Sequence, residues 1–307
     1  MATNQSQMSL LPGLFIAFLT VLFGANAVAI KLTLTGMGPL TTAGCRFALA
    51  AGAIACWARI TGRRFRIQPG QPFQLLVIAV AFTLQLSLFY LGLERTEASR
   101  GVLIANLLPF FVLFLSHYFI PGERITWKKF VGILLGFAGV TVLFSGAERF
   151  SDSIRAGDPI VLAAVVVWSC NVVYTKSIIN AYEPFHLVLY PMIVSVPVFL
   201  SAGCLWDQQM FFDLNPIVLS AYAYQGLVTA AFGFVAWSTM LKRYGASTLH
   251  AFVFIMPIAG VVLSGIVLDE PITPNLLIAM LFIAAGILMV HINPKKPSFT
   301  FPLGRGL

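Results

Sequence analysis

The chain has 307 residues, of which 59% are hydrophobic and only 10% carry a charged side chain. Because soluble domains carry about 25% charged residues, this composition excludes an ordinary soluble protein and indicates one that lies almost wholly in a membrane. The net charge of +8 does not indicate nucleic-acid binding, since the basic residues lie in short loops and form no block with interleaved aromatic residues.

Apolar segments of about 20 residues, the length that crosses a bilayer as a helix, recur along the chain. The first runs from Leu14 to Leu34, and it is predicted to be a retained helix because it lacks the basic start and short apolar core of a signal peptide. Further spans are predicted at 39–59, 72–93, 99–119, 129–146, 157–178, 186–204, 217–240, 246–267 and 273–292. The predicted fold class is therefore an all-α membrane protein with ten transmembrane helices.

Two long segments of the chain match at a nearly constant offset. The segment that begins ASRGVLIANLLP at Ala98 matches the one that begins ASTLHAFVFIMP at Ala246. After one residue is dropped in the turn that follows, Glu123 aligns with Glu270. Self-similarity of this kind predicts that the fold is a duplicated unit.

The first spans of the two halves match as well. FGANAVAIK (23–31) aligns with WSCNVVYTK (168–176), which places Asn26 on Asn171 and Lys31 on Lys176. Because each half holds five predicted spans, an odd number, the second half is predicted to enter the membrane upside down. Inverted repeats of this type recur in secondary transporters, which bind their substrate near the midplane between the halves.

Basic residues predict how the chain lies across the membrane. Of the nineteen Lys and Arg residues, thirteen fall on the side of the two termini, five on the opposite side, and Arg46 lies within a span. This excess predicts a multi-pass membrane protein with both termini in the cytoplasm. The predicted parts are a cytoplasmic tail (1–12), a first five-helix repeat (13–146), an extracytoplasmic linker (147–156), a second, inverted repeat (157–292) and a cytoplasmic tail (293–307).

The segments quoted above, with GPLTTAGCRFALAA (38–51) and GDPIVLAAVVVWSCNVVYTK (157–176), resemble the drug/metabolite transporter superfamily, EamA type, over residues 13–292. The resemblance implies two inverted five-helix repeats around a central cavity that moves small metabolites across the plasma membrane. Within the family the chain is most similar to bacterial exporters of aromatic amino acids. Arg46 is typical of the family's second helix, but its counterpart in the second half is Pro191, so no symmetric role is implied.

Several predicted spans place an amide or imidazole beside an aromatic ring on one helix face; Gln225, for example, is expected to share a face with Thr229 and Phe232. Rings can pack on an aromatic amino acid while amides bind its carboxylate and ammonium groups. The alternative is that these amides hold helices together. The predicted substrate-binding residues are Trp168, Gln85, Gln225, Asn26, Asn171, Asn106, His250, Phe254, Phe89 and Tyr174.

The predicted gate residues are Lys31, Lys176, Pro109 and Pro257. The two lysines, at span ends, either extend to the membrane surface or attract a substrate carboxylate at a gate. The two prolines, at matching mid-span positions, produce either a static kink or a hinge. Glycines spaced G-x-x-x-G-x-x-G from Gly132 predict close packing of the fifth helix, within one chain or between chains.

All eleven acidic residues fall in loops or at the ends of predicted spans, which favours export down a substrate gradient, although His117 and His250 remain possible proton carriers. The four cysteines lack metal-site spacing and are expected to be small buried apolar residues, so no metal or other cofactor is predicted. The chain has no H-E-x-x-H, G-x-S-x-G or phosphate-binding loop motif, which argues against an intramembrane enzyme and against an ATPase subunit.

The predicted function is export of amino acids, mainly aromatic ones (Phe, Trp, Tyr) and other bulky apolar ones, by alternating access through a cavity between the repeats. The predicted partners are the amino acids and the lipid bilayer. The alternative is a broader exporter of lipophilic drugs and metabolites; for cations, an acidic residue within the membrane would be expected.

Overall fold

The computed structural model describes residues 10–68, 70–120, 125–144, 155–183, 185–244 and 252–291. The helices of the first half are α1 (Leu10–Gly24), α2 (Asn26–Thr33), α3 (Pro39–Ile60), α4 (Gln71–Glu94), α5 (Ala98–Ala105), α6 (Leu108–Phe119) and α7 (Trp127–Phe144). The second half contains α8 (Gly157–Ile178), a 3₁₀ turn (Ile179–Ala181), α9 (His186–Trp206), α10 (Pro216–Ala223), a π-helical segment (Tyr224–Gly233), α11 (Phe234–Tyr244), α12 (Ile255–Leu268) and α13 (Pro274–His291).

Seven helical stretches among the described residues are long and apolar enough to cross a bilayer. Ile255–Leu268 and Pro274–Met289 are shorter apolar helices, so the all-helical membrane class is confirmed and the number of ten spans stays a prediction. Large apolar side chains cover the outer faces of the helices, where lipid would surround them. The expectation that the cysteines are buried is wrong for Cys56, Cys170 and Cys204, which are exposed on these faces. Hydrophobicity alone does not separate lipid-facing from buried positions, because both are apolar.

Two of the spans are broken near the middle. Ala25 separates α1 from α2, and Asn106–Leu107 separates α5 from α6. The predicted disruption at Pro109 is present, but the break precedes the proline, which lies in the first turn of α6. Pro257 likewise lies in the first turn of α12. A proline is favourable there because it has no N–H group, and the N–H groups of a first turn have no helical partner.

Helices that are equivalent in the two halves pack against each other in opposite directions. In the pair α3 and α9, Thr41 lies against Gly203, while Gly44, further along α3, lies against Leu200, earlier in α9. In the pair α7 and α13, Gly139 lies against Ala279 and Gly132 against Gly286, so these two helices are antiparallel as well. Antiparallel packing of equivalent helices is what the predicted inverted repeats require, and the inversion of the whole halves stays a prediction.

The predicted glycine motif of the fifth helix acts within the chain. A Cβ atom on Gly286 of α13 would lie 2.7 Å from the carbonyl oxygen of Gly132, and one on Gly139 of α7 would lie 2.9 Å from that of Ala279. Only glycine allows the two backbones to approach this closely. The open choice between packing within one chain and packing between chains is thus decided for α7, which packs on α13.

Candidate substrate site

Four predicted site residues come together where α4 packs on α8, and we call them the aromatic–amide cluster: Gln85, Phe89, Trp168 and Asn171. Gln85 and Phe89 are four residues apart and Trp168 and Asn171 are three apart, so each pair shares one helix face. The Asn171 Nδ2 group donates to Gln85 Oε1 at 3.1 Å. The rings of Phe89 and Trp168 meet edge to face with centroids 6.4 Å apart.

The aromatic–amide cluster combines burial with an unused hydrogen-bond acceptor. Gln85 is 3% and Asn171 is 8% exposed, while Trp168 is half-buried. The Oδ1 atom of Asn171 is buried and has no hydrogen-bond partner among the described residues. A buried amide oxygen without a partner loses the free energy of its hydration, so a bound donor such as an ammonium group would stabilise it.

A second polar group, which we call the arginine network, links α3, α4, α2 and the π-helical segment. Arg46 is 5% exposed, and it donates to the Tyr90 hydroxyl at 3.0 Å and to Thr229 Oγ1 at 3.2 Å. Tyr90 donates to Gln225 Oε1 at 2.8 Å, and Thr229 donates to Asn26 Oδ1 at 3.0 Å. The network therefore places a guanidinium group among neutral hydroxyl and amide groups.

Both the oxygen and the nitrogen of the Gln225 side-chain amide form hydrogen bonds to other helices. Besides accepting from Tyr90, its Nε2 group donates to the carbonyl oxygen of Ala29 at 3.1 Å and to Thr33 Oγ1. These contacts correspond to the alternative in which an amide holds helices together. Its contact with substrate stays a prediction.

The π-helical segment changes which residues share a face. Gln225 and Thr229 point inward and are buried, but Phe232 is 47% exposed and packs edge to face on Phe15 at 6.4 Å. The expectation that Phe232 shares their face is wrong, because a π-helix takes more residues per turn than the α-helix assumed in the prediction. Such segments occur frequently at functional sites.

Two predicted site residues lie directly next to helix ends. The side-chain amide of Asn106 donates to the carbonyl oxygen of Val102 at 2.8 Å, which satisfies a group at the end of α5. Phe254 directly precedes α12, is half-buried and packs against the main core. Substrate contact by Asn106 and Phe254 stays a prediction.

Other predicted residues lie apart from the aromatic–amide cluster. Lys31 Nζ donates to the carbonyl oxygens of Leu93 at 2.9 Å and Thr96 at 2.7 Å, where its charge complements the C-terminal end of α4. Lys176 is exposed near the end of α8, and Tyr174 packs beside a small separate core cluster. The gate roles of the two lysines stay predictions.

Of the two possible proton carriers, His117 is exposed in the last turn of α6, with its ring 5.1 Å from that of Tyr118. His250, which is also a predicted substrate ligand, lies outside the described residues. Exposure at a helix end places His117 away from both polar groups described above.

At the end predicted to be extracytoplasmic, carboxylates form hydrogen bonds and an ion pair with neighbouring helices. The Glu270 carboxylate accepts from the backbone N–H groups of Ala98 at 2.6 Å and Ser99 at 2.9 Å, at the start of α5. Asp158, buried in the first turn of α8, forms an ion pair with Arg100 at 2.5 Å. A carboxylate at a helix N-terminus is stabilised by the helix dipole, so these contacts favour a closed end.

At the opposite end, the Tyr182 hydroxyl donates to Gln74 Oε1 at 2.6 Å and to the carbonyl oxygen of Gln71 at 3.1 Å. Burial raises the pKa of Tyr182, with a smaller contribution from Tyr174, so the hydroxyl stays protonated and able to donate. A cleft of about 720 Å³ at this end is lined by Arg64, Arg66, Ile67, Gln68, Gln71, Pro72, Ala181, Glu183 and His186, none of which belongs to the aromatic–amide cluster.

Arg46 and Tyr90 are the site residues that the sequence prediction omits. Arg46 carries a signal, since it is a charged residue within an apolar span and such residues are costly unless they have a function. Tyr90 carries none, because one tyrosine at a helix end resembles many that anchor helices at the membrane surface.

The broken helices, the antiparallel pairs of equivalent helices and the buried polar and aromatic groups are typical of one class, the multi-pass helical membrane transporters. The EamA-like transporter family matches the sequence twice, over residues 11–145 and 155–292. The chain therefore belongs to the EamA-like transporter family, in agreement with the resemblance seen in the sequence. The two matches also confirm the duplication, and the family is one of transporters and not of enzymes.

Relatives of similar length cover nearly the whole chain. An uncharacterized transporter of Archaeoglobus fulgidus is 29% identical over 89% of this chain and 96% of its own length. A probable amino-acid metabolite efflux pump of Escherichia coli is 26% identical over 91% and 94%. A probable terminal-alkyne amino-acid exporter of Streptantibioticus cattleyicolor is 27% identical over 89% and 91%. A solved crystal structure with a TM-score of 0.66 and 20% identity covers 90% of this chain and 94% of its own, which supports the fold alone.

Proposed function

We propose that the protein is a secondary transporter that exports amino acids, chiefly phenylalanine, tryptophan, tyrosine and other bulky apolar ones, across the bacterial inner membrane. The observation that carries this proposal is the aromatic–amide cluster, in which a buried amide oxygen without a protein partner lies beside two aromatic rings. The names of the relatives from Escherichia coli and Streptantibioticus cattleyicolor, which refer to amino-acid export, agree with it.

In this proposal the aromatic–amide cluster binds the side chain and the ammonium group of one substrate. The aromatic side chain packs on Trp168 and Phe89, since edge-to-face ring contacts add to the gain from burial. The ammonium group donates to Asn171 Oδ1, which the protein leaves unpaired. The hydrogen bond from Asn171 to Gln85 fixes the orientation of the amide that receives it.

The proposed mechanism is alternating access by ten spans in two inverted repeats, with both termini in the cytoplasm. Opening toward the outside requires the Glu270 contacts with α5 to be lost. The break before Pro109 and the turn at residues 252–254, before Pro257, are suitable hinges. Lys31 and Lys176 are proposed to line the two gates. We expect movement down the substrate gradient, because the predicted spans carry no acidic residue away from their ends.

Uptake by proteoliposomes tests this function. Labelled phenylalanine should enter vesicles that contain the purified protein without an imposed ion gradient, and unlabelled tryptophan should compete. Trp168→Ala should abolish uptake, whereas Trp206→Ala, which removes an exposed tryptophan at the end of α9, should leave it unchanged.

Three other results would change the proposal. Uptake only under a pH gradient would make transport proton-coupled and direct attention to His117 and His250. Uptake of a lipophilic cation instead of phenylalanine would support the broader exporter of drugs and metabolites. Normal uptake by Trp168→Ala would remove Trp168 from the site.

A further inference from the structure

Arg46 has an unusual environment for a charged residue. Its side chain is 95% buried, and the hydrogen bonds that it donates end on two neutral hydroxyl groups, those of Tyr90 and Thr229. Its guanidinium carbon lies 5.1 Å from the centre of the Phe47 ring. Its Nε–H group is buried without a hydrogen-bond partner in the part of the chain that the structure describes.

The charge of Arg46 is not balanced by the described residues. The ion pairs found among them join Arg63 to Glu183, Arg95 to Glu94, Arg100 to Asp158 and Arg155 to Glu97. The Asp207 carboxylate, which does lie against α3, accepts hydrogen bonds from Leu40 and Thr41 at the start of that helix. Arginine does not lose its proton in proteins, so the buried positive charge persists and would be stabilised by an anion.

The position of Arg46 connects it to the aromatic–amide cluster. Tyr90, which accepts from Arg46, directly follows Phe89, which contacts Trp168. On the other side, the Phe47 ring beneath the guanidinium packs on Phe82 at 5.0 Å. Phe82 precedes Gln85 by three residues on α4, so both belong to one face of that helix.

We propose that Arg46 binds the carboxylate of the transported substrate and thereby makes a carboxylate a requirement for transport. This inference rests on the proposed export of amino acids and adds a residue for the end of the substrate that the aromatic–amide cluster leaves unbound. Two of the five guanidinium N–H groups donate to Tyr90 and Thr229, and Nε–H has no partner among the described residues, so the fork can still present two N–H groups to the two oxygens of a carboxylate. Lipophilic cations and amines without a carboxylate are disfavoured, because they would bring a second positive charge beside Arg46.

The proposed carboxylate site has no counterpart at the equivalent position of the second half. The repeat aligns Arg46 with Pro191, which has no side-chain donor. The substrate therefore keeps one orientation relative to the two halves, with its carboxylate toward α3 and its ring toward α8. A mutation of Arg46 is expected to change selectivity without a compensating residue in the second half.

Binding to the purified full-length protein in lipid nanodiscs, measured by calorimetry, tests the proposal. The ligands are phenylalanine, its methyl ester, which has no carboxylate, and 3-phenylpropionate, which has no ammonium group. We expect the wild type to bind phenylalanine about 10- to 100-fold more tightly than the ester, the range that a charge-assisted contact provides. In Arg46→Gln the two should bind alike, and in Arg46→Lys, which keeps the charge but not the fork, the ratio should be intermediate.

Arg95→Gln is the matched control, because it removes the charge of an exposed arginine and should leave the ratio as in the wild type. Equal binding of acid and ester by the wild type would overturn the proposal, as would a wild-type ratio in Arg46→Gln. If Arg46→Gln does not fold, the proposal is tested by the ratio of phenylalanine affinity to ester affinity in the wild type and in Arg46→Lys. Binding of 3-phenylpropionate but not of phenylalanine would refute amino-acid export and still support the carboxylate site.

Discussion

Glu270 offers the most direct test of how the predicted extracytoplasmic end stays closed. Its two carboxylate oxygens accept from the backbone N–H groups of Ala98 and Ser99 at 2.6 and 2.9 Å. Charge-assisted hydrogen bonds contribute about 1.5–3 kcal/mol and neutral ones about 0.5–1.5 kcal/mol. Glu270→Gln replaces two charge-assisted hydrogen bonds by one neutral bond, so the closed state should lose at least about 1.5 kcal/mol, which raises the open population at least about 10-fold.

The assay follows a cysteine placed at Ser99, in a chain whose native cysteines are replaced. Ser99 is buried and its hydroxyl has no partner among the described residues, so Ser99→Cys removes no hydrogen bond seen there. A membrane-impermeant thiol reagent should label it at least about 10-fold faster in Glu270→Gln. Glu97→Gln is the control, because its carboxylate pairs with an exposed Arg155. If Ser99→Cys were labelled at the same rate with Glu270 present and in Glu270→Gln, the reasoning would be refuted.

The remaining predictions compare matched positions. Gln225→Leu should mainly lower the melting temperature, because the partners of Gln225 are protein groups that would lose about 1–3 kcal/mol each. Gln85→Leu should mainly lower the affinity for phenylalanine. If the two variants changed the melting temperature and the affinity alike, both assignments would be contradicted. Gly286→Ala should reduce the yield of folded protein, since its Cβ would lie 2.7 Å from a carbonyl oxygen, while Gly52→Ala has nothing within 4 Å and should not. Trp168→Ala should remain monodisperse by size-exclusion chromatography while it loses uptake; aggregation would give Trp168 a structural role.

The sequence predicts those parts of the fold that follow from repeated segments and from the spacing of residues. Matching segments predict the duplication, and an odd number of spans per half predicts that the halves run in opposite directions. Within the site, the four-residue spacing of Gln85 and Phe89 and the three-residue spacing of Trp168 and Asn171 predict two shared faces. The structure adds that these two faces meet, because α4 packs on α8.

The parts that the sequence does not predict depend on backbone geometry. The break at Asn106–Leu107 lies before Pro109, and the π-helical segment turns Phe232 outward, because both depart from a regular α-helix. The exposed Cys56 and Cys170 illustrate a second limit. In a membrane the outer surface is as apolar as the core, so hydrophobic periodicity does not show which face packs.

Arg46 is not among the predicted site residues, for a reason that follows from the duplication itself. Comparison of the halves selects residues that occur twice, such as Asn26 and Asn171, and each of these hydrogen-bonds to a helix of the other half. A substrate has two different ends, so a residue that recognises one end need occur only once. Arg46, which the repeat does not preserve, is therefore as strong a candidate for substrate recognition as Asn171, which the repeat does preserve.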